Sequence, residues 1–114
     1  MRNIHLAITL SLFQSLLLIN PIFAATPEQQ GKIMGLLGAH KCRIRNGLQT
    51  TSRSWLEKVT KEIGLKPEIL DDEMINKGAQ EFSFTLSNDC LKSRLNENEV
   101  GSLLLKFVRP TTPY

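Results

Sequence analysis

Residues Thr26–Gly47 read TPEQQGKIMGLLGAHKCRIRNG, and this stretch decides the fold. Thr26, Pro27 and Gln29 form a helix start: a threonine cap, a proline at the first helical position, and a glutamine three residues after the cap. Gly47 suits the left-handed residue that ends a helix, so a helix is predicted from Pro27 to about Asn46. Two stripes run along it. Ile33, Leu37, Ile44 and Leu48, with Met34 and Leu36 alongside, predict a broad apolar face. Gly31, Gly35, Gly38 and Cys42 recur at i, i+4, i+7 and i+11 and share the opposite face. Each glycine costs a helix roughly 1 kcal/mol relative to alanine, which predicts a compensating close contact with another backbone. The competing reading is a frayed N-terminal half.

Upstream, residues 1–24 carry the marks of a secretory signal peptide. Arg2 is the positive start, Leu6 to Ile19 is apolar apart from four polar residues, Asn20-Pro21 breaks the helix, and Ala24 supplies the small residue before a cut. The alternative is an uncleaved anchor, but an apolar run of about 14 residues falls short of the roughly 20 that span a bilayer. Cleavage leaves no stable membrane anchor. The remaining chain, residues 25–114, is near the size at which a core alone is marginal and a covalent staple helps. The predicted location is exported, periplasmic or secreted.

Downstream, Trp55, Val59 and Ile63, with Leu56 beside them, predict a second helix from Thr51 or Ser52 to Ile63, stopped by Gly64 with Leu65 folding back. Lys66-Pro67 interrupts the chain. Asp71 or Asp72 is placed to cap a long third helix reaching about Leu91. Its stripe is Ile75, Ala79, Phe82, Leu86 and Cys90, with Phe84 off the stripe and a break near Gly78 in prospect. For residues 98–108 two readings stand: a helix capped by Asn98, or a buried strand from Leu103 to Val108. The helix is the working choice, and residues 109–114 are read as a tail. The fold class is therefore all-α, a three-to-four-helix domain over residues 25–108, stapled by one disulfide and preceded by a signal peptide.

The staple is Cys42 to Cys90. They are the two cysteines of an exported chain, and each lies on a stripe expected to face inward. His40, Lys41, Arg43 and Arg45 surround Cys42 with positive charge, which would suit a reactive thiolate. No second cysteine sits at the C-x-x-C spacing, and burial argues against reactivity. A metal site is not expected, since residues 25–114 hold one histidine and two cysteines at no zinc spacing. Asp71-Asp72-Glu73 is read as a helix start rather than a cation site. Neither a catalytic constellation nor a cofactor signature is present, so an enzyme is not expected.

Charge is uneven. The formal net charge of +3 falls to +2 without Arg2, too little to point to nucleic acid or a membrane surface. From Lys32 to Lys66, eight cations face two acids; from Glu68 to Glu99, eight acids face three cations. Antiparallel helices would lay the two halves side by side, or the halves would form faces for a partner. Lys41, Arg43 and Arg45 are the residues proposed to touch that partner.

Residues 38–91 resemble a group of small exported two-cysteine helical proteins of cyanobacterial type: Cys42 with Gly47 five residues on, a helix bearing Trp55, and a closing Cys90. That resemblance implies no activity. In architecture alone the chain is similar to periplasmic acid-stress chaperones, which share a signal peptide, helices and one long-loop disulfide and which unfold at low pH to expose apolar surface. The resulting expectation is a non-catalytic binding or interaction protein of the cell envelope, with an envelope protein as partner. A periplasmic stress chaperone is the second class and a thiol redox protein the third.

Overall fold

A computed structural model describes residues 24–48 and 52–110. The segment read as a signal peptide, apart from Ala24, lies outside them. Among the described residues four α-helices follow in order: α1 (Pro27–Arg45), α2 (Arg53–Glu62), α3 (Glu73–Ser83) and α4 (Glu97–Leu105), with a 3-10 turn at Pro67–Asp71 before α3. Among the described residues there is no strand beyond one isolated antiparallel bridge, Leu86 to Ser93.

The expected caps hold α1. Thr26 accepts from the Gln29 N–H at 3.1 Å, and the Gln29 side chain accepts from the Thr26 N–H at 2.9 Å. At the other end Gly47 has φ +66°, its N–H bonds the Ile44 carbonyl, and the Leu48 N–H bonds the Arg43 carbonyl. This is a Schellman ending. Gly64 closes α2 in the same manner at φ +93°, with the Leu65 N–H on the Thr60 carbonyl.

α1 and α3 pack tightly and run in the same direction. A β-carbon built on Gly78 would lie 2.5 Å from Met34 Sδ; one built on Gly38 would lie 2.6 Å from Phe82 Cδ2 and 2.8 Å from the Ala79 carbonyl oxygen. Further along, the Arg45 guanidinium bonds Ser83. The contacts climb both helices together, so the antiparallel arrangement of the two charged halves is corrected. α2 and the 3-10 turn lie between α1 and α3 in sequence, and α2 ends beside the start of α1. There the Gln29 side-chain amide donates to the Ile63 carbonyl at 3.3 Å. α4 returns the opposite way, bringing Phe107 to Gly78 and Arg109 to Gln30. The core gathers Ile33, Met34, Leu37, Leu56, Ile69 and Ile75, with further support from Leu70, Ala79 and Leu104.

The small-residue seam is shorter than its spacing suggests. Gly38 and Cys42 are buried on it, but nothing lies within 4 Å of a β-carbon built on Gly31 or Gly35. The helix is nevertheless continuous, because its capping box and the Met34–Gly78 contact hold the first half. Gly78 likewise does not break α3; its missing side chain admits Met34 and Phe107. Gly31→Ala and Gly35→Ala should each raise stability by about 0.5–1 kcal/mol through helix propensity. Gly38→Ala should lower it by about 2 kcal/mol, because the new methyl meets a backbone carbonyl that cannot swing away. Urea denaturation of the three variants checks this, and a destabilised Gly35→Ala would mean that the open side is packed after all.

Three apolar assignments shift. Ile44 and Leu48 are exposed rather than in the core, since no core element packs on that face past Cys42. On α2 the buried stripe is Leu56 and Thr60, while Trp55 stays exposed. Thr60 tolerates burial because its hydroxyl donates to the Leu56 carbonyl at 2.7 Å. α3 stops at Ser83 instead of reaching Leu91. The Ser83 hydroxyl donates to the Gln80 carbonyl and the Thr85 hydroxyl to the Phe82 carbonyl, so side chains take over the terminal helix carbonyls. α4 begins at Asn96, not Asn98: Asn96 and Glu99 form a reciprocal capping box at 2.9 and 3.0 Å. Residues 97–105 are thus helix, and the strand alternative falls.

Candidate functional site

Cys42 and Cys90 are joined in a disulfide, with Cα atoms 5.9 Å apart and a sequence separation of 48. Cys42 is on α1, as expected. Cys90 sits not on a helix but in the loop after α3, at φ +62°. A non-glycine residue in that left-handed region costs about 1 kcal/mol, offset here by a fixed turn. The Cys90 N–H bonds the Ser87 carbonyl at 2.8 Å, and the Ser87 N–H bonds the Lys92 carbonyl at 2.8 Å. Asp89 completes the turn by accepting from the Ser87 hydroxyl and the Leu91 N–H. Those two bonds, the hydroxyl first, hold its carboxyl below the usual aspartate range. Lower in the loop, the Arg94 N–H bonds the Thr85 carbonyl at 2.8 Å. The Asn46 side-chain amide lies over both sulfurs, 3.4 Å from Cys42 Sγ and 3.7 Å from Cys90 Sγ.

This loop brings Lys92 and Arg94, two cations of the acidic half of the chain, to the end of α1 that carries Lys41, Arg43 and Arg45. Arg45 belongs partly to the scaffold. Its guanidinium donates to the Ser83 hydroxyl at 3.0 Å and the Ser83 carbonyl at 2.9 Å, and lies 4.8 Å over the Phe84 ring. Lys41 and Arg43 are half-buried along their stems, while Lys92 and Arg94 are exposed. Among them stand exposed apolar side chains: Leu91 at 72%, Ile44 at 59%, Phe84 at 53% and Leu48 at 40%. The disulfide-tied end is therefore cationic and apolar together, a combination spacing did not reveal because Cys90 and Leu91 were assigned to a helix.

His40 lies on the same turns of α1. Partial burial, then Lys41 and Arg43, hold its imidazole below its ordinary proton affinity. The folded chain thus takes up this proton at lower pH than the unfolded chain. The contribution to stability is complete above about pH 6.5 and is lost as pH falls through the folded value. In NMR titration the His40 midpoint should fall below about 6.5. Lys41→Glu with Arg43→Glu should move it up; an unmoved midpoint would remove the cations as a cause.

The acidic cluster is absorbed by structure. Asp71 takes two bonds from the Arg53 guanidinium, at 3.1 and 3.0 Å, and these, ahead of Glu57, raise the proton affinity of Arg53. Asp72 caps α3 at the Ile75 N–H and pairs with Arg109 at 3.2 Å. Glu73 pairs with Lys77 one turn on. Among the described residues no three His, Cys, Asp or Glu side chains gather as a metal would need, and no helix is long and apolar enough to cross a membrane.

One polar residue escaped the sequence reading. Gln30 is fully buried. Its amide donates to the Ala25 carbonyl at 3.0 Å and the Arg109 carbonyl at 2.7 Å, and its oxygen accepts from the Arg109 N–H at 2.8 Å. Arg109, placed in the tail by the sequence, is thereby docked onto the domain. No protein-family model, curated protein or solved structure matches the chain.

Proposed function

We propose that this is a non-catalytic binding protein of the cell envelope, working outside the cytoplasm through its disulfide-tied end. The observation that carries the reading is that Ile44, Phe84 and Leu91 stand exposed, with Arg43, Lys92 and Arg94, at the end where the helices Pro27–Arg45 and Glu73–Ser83 stop and Cys42 ties the loop of Cys90. Apolar side chains that protrude among cations are the composition of a contact surface rather than of a solvated one. The disulfide fits an oxidising compartment, in keeping with export. A chaperone of the acid-stress kind keeps its apolar surface covered until acid uncovers it. Here apolar side chains stand exposed in the folded chain, which favours direct binding.

Co-sedimentation with isolated cell envelopes tests this. The folded, oxidised protein should pellet with them. A variant carrying Ile44→Ser, Leu91→Ser, Arg43→Gln and Lys92→Gln should stay in the supernatant with its disulfide and helical signal intact. If both proteins remain soluble, the reading is lost.

A further inference from the structure

The partner class can be narrowed from the shape and chemistry of that end. Clefts open at Leu95–Lys106, at Ser54–Glu62, and between Pro27, Gly31, Gly101 and Leu105. None is lined by the residues around the disulfide. The end itself is a last helical turn beside a loop tip. Ile44 and Leu48 lie beyond the core on α1, and Leu91 follows Cys90 directly. Because α1 and α3 end side by side, with Arg45 bonded to Ser83, and Cys42 is tied to Cys90, these side chains stand at one end of the domain, Ile44 on the face of α1 turned away from Cys42.

The charges around them are of one sign with few exceptions. Lys41, Arg43, Lys92 and Arg94 stand among the apolar tips, and Arg45 lies over Phe84. Asp89 is the acid of the loop tip, already engaged by Ser87 and the Leu91 N–H. Glu81 stands two residues before the end of α3. Protruding aliphatic and aromatic tips spaced by long cationic side chains match the interface of an anionic bilayer. The tips enter the headgroup and acyl boundary, and the cations meet phosphates.

We propose that the disulfide-tied end docks on an anionic membrane surface, with Ile44, Leu48, Phe84 and Leu91 as the inserted tips and Lys41, Arg43, Lys92 and Arg94 as the phosphate contacts. This rests on the binding reading above and names its partner. The docking is peripheral, and no segment of the described fold crosses the bilayer. The disulfide is what makes the site, because it holds the loop's two cations and Leu91 against α1.

The probe is vesicles of phosphatidylglycerol mixed with phosphatidylcholine, against vesicles of phosphatidylcholine alone, sedimented with oxidised protein purified from the exported fraction. Wild-type protein should partition onto the anionic vesicles and be released by high salt. Arg43→Gln with Lys92→Gln should weaken partition about 25-fold, roughly fivefold for each cation. Ile44→Ser with Leu91→Ser should weaken it while keeping the salt dependence. Absence of binding to the anionic vesicles, or equal binding to neutral ones, overturns the proposal. If envelopes retain the protein while pure lipid does not, the docking surface takes an acidic protein and only the lipid assignment falls. If neither retains it, both fall.

Discussion

Replacing Cys42 and Cys90 together with alanine should lower the folding free energy by about 4 kcal/mol. The bond closes a loop with a sequence separation of 48, and the chain-entropy model assigns a loop of that size about 4 kcal/mol through restriction of the unfolded chain. Against a total of about 5–15 kcal/mol for a small domain, this is a large share. The native state also loses something local. The loop from Phe84 to Leu95 keeps its bridge, its turn bonds and the Arg45–Phe84 contact, but Cys90 has no further reason to remain at φ +62°. Amide exchange should therefore accelerate first in residues 85–94, while α1, α3 and α4 exchange together at the lowered global rate. Urea midpoints of the oxidised and doubly substituted proteins measure the first effect. Equal midpoints would show that helix packing alone carries the fold.

Gln30→Leu should cost about 3 kcal/mol, the second largest effect. A fully buried side chain makes three hydrogen bonds here, each of net value near 1 kcal/mol. Leucine fills the volume but removes all three bonds, those to the Arg109 N–H and carbonyl among them. The loss spreads, because Arg109 then no longer holds its 3.2 Å pair with Asp72, the residue that caps α3. Limited proteolysis should cut after residue 105 in the variant and not in the wild type. A variant that melts at the wild-type temperature with an uncut C-terminus would show that water replaces the amide without cost.

The helix boundaries marked by local chemistry were legible. Thr26-Pro27-Glu28-Gln29 starts α1, and Gly47 and Gly64 end α1 and α2, because capping and left-handed turns depend on neighbours a few residues away. Ser83-Phe84-Thr85-Leu86-Ser87-Asn88-Asp89 was misread for an instructive reason. Its apolar residues keep helical spacing, so the period extended α3 to Leu91. The side chains of Ser83, Thr85, Ser87 and Asp89, which bond backbone groups, carry the contrary signal. Asn96-x-x-Glu99 is a capping box legible in the sequence, and it starts α4 two residues before Asn98. The pairing of Cys42 with Cys90 was read correctly, although one of the two helices assigned to it was not.

Other features depend on partners far along the chain. Whether a glycine is a defect or a contact cannot be read from its spacing: Gly31, Gly35 and Gly38 share one face, yet only Gly38 meets another element. The same holds for Ile44, apolar by composition and exposed because the core stops short of it, and for Gln30, whose role appears once residue 109 lies beside it. Local rules thus establish, for the described residues, a mostly helical fold with a disulfide staple. The parallel course of α1 and α3, the buried glutamine clamp and the cationic, apolar end around Cys90 arise from contacts across about 40 to 80 residues, where burial and hydrogen-bond satisfaction outweigh local preference.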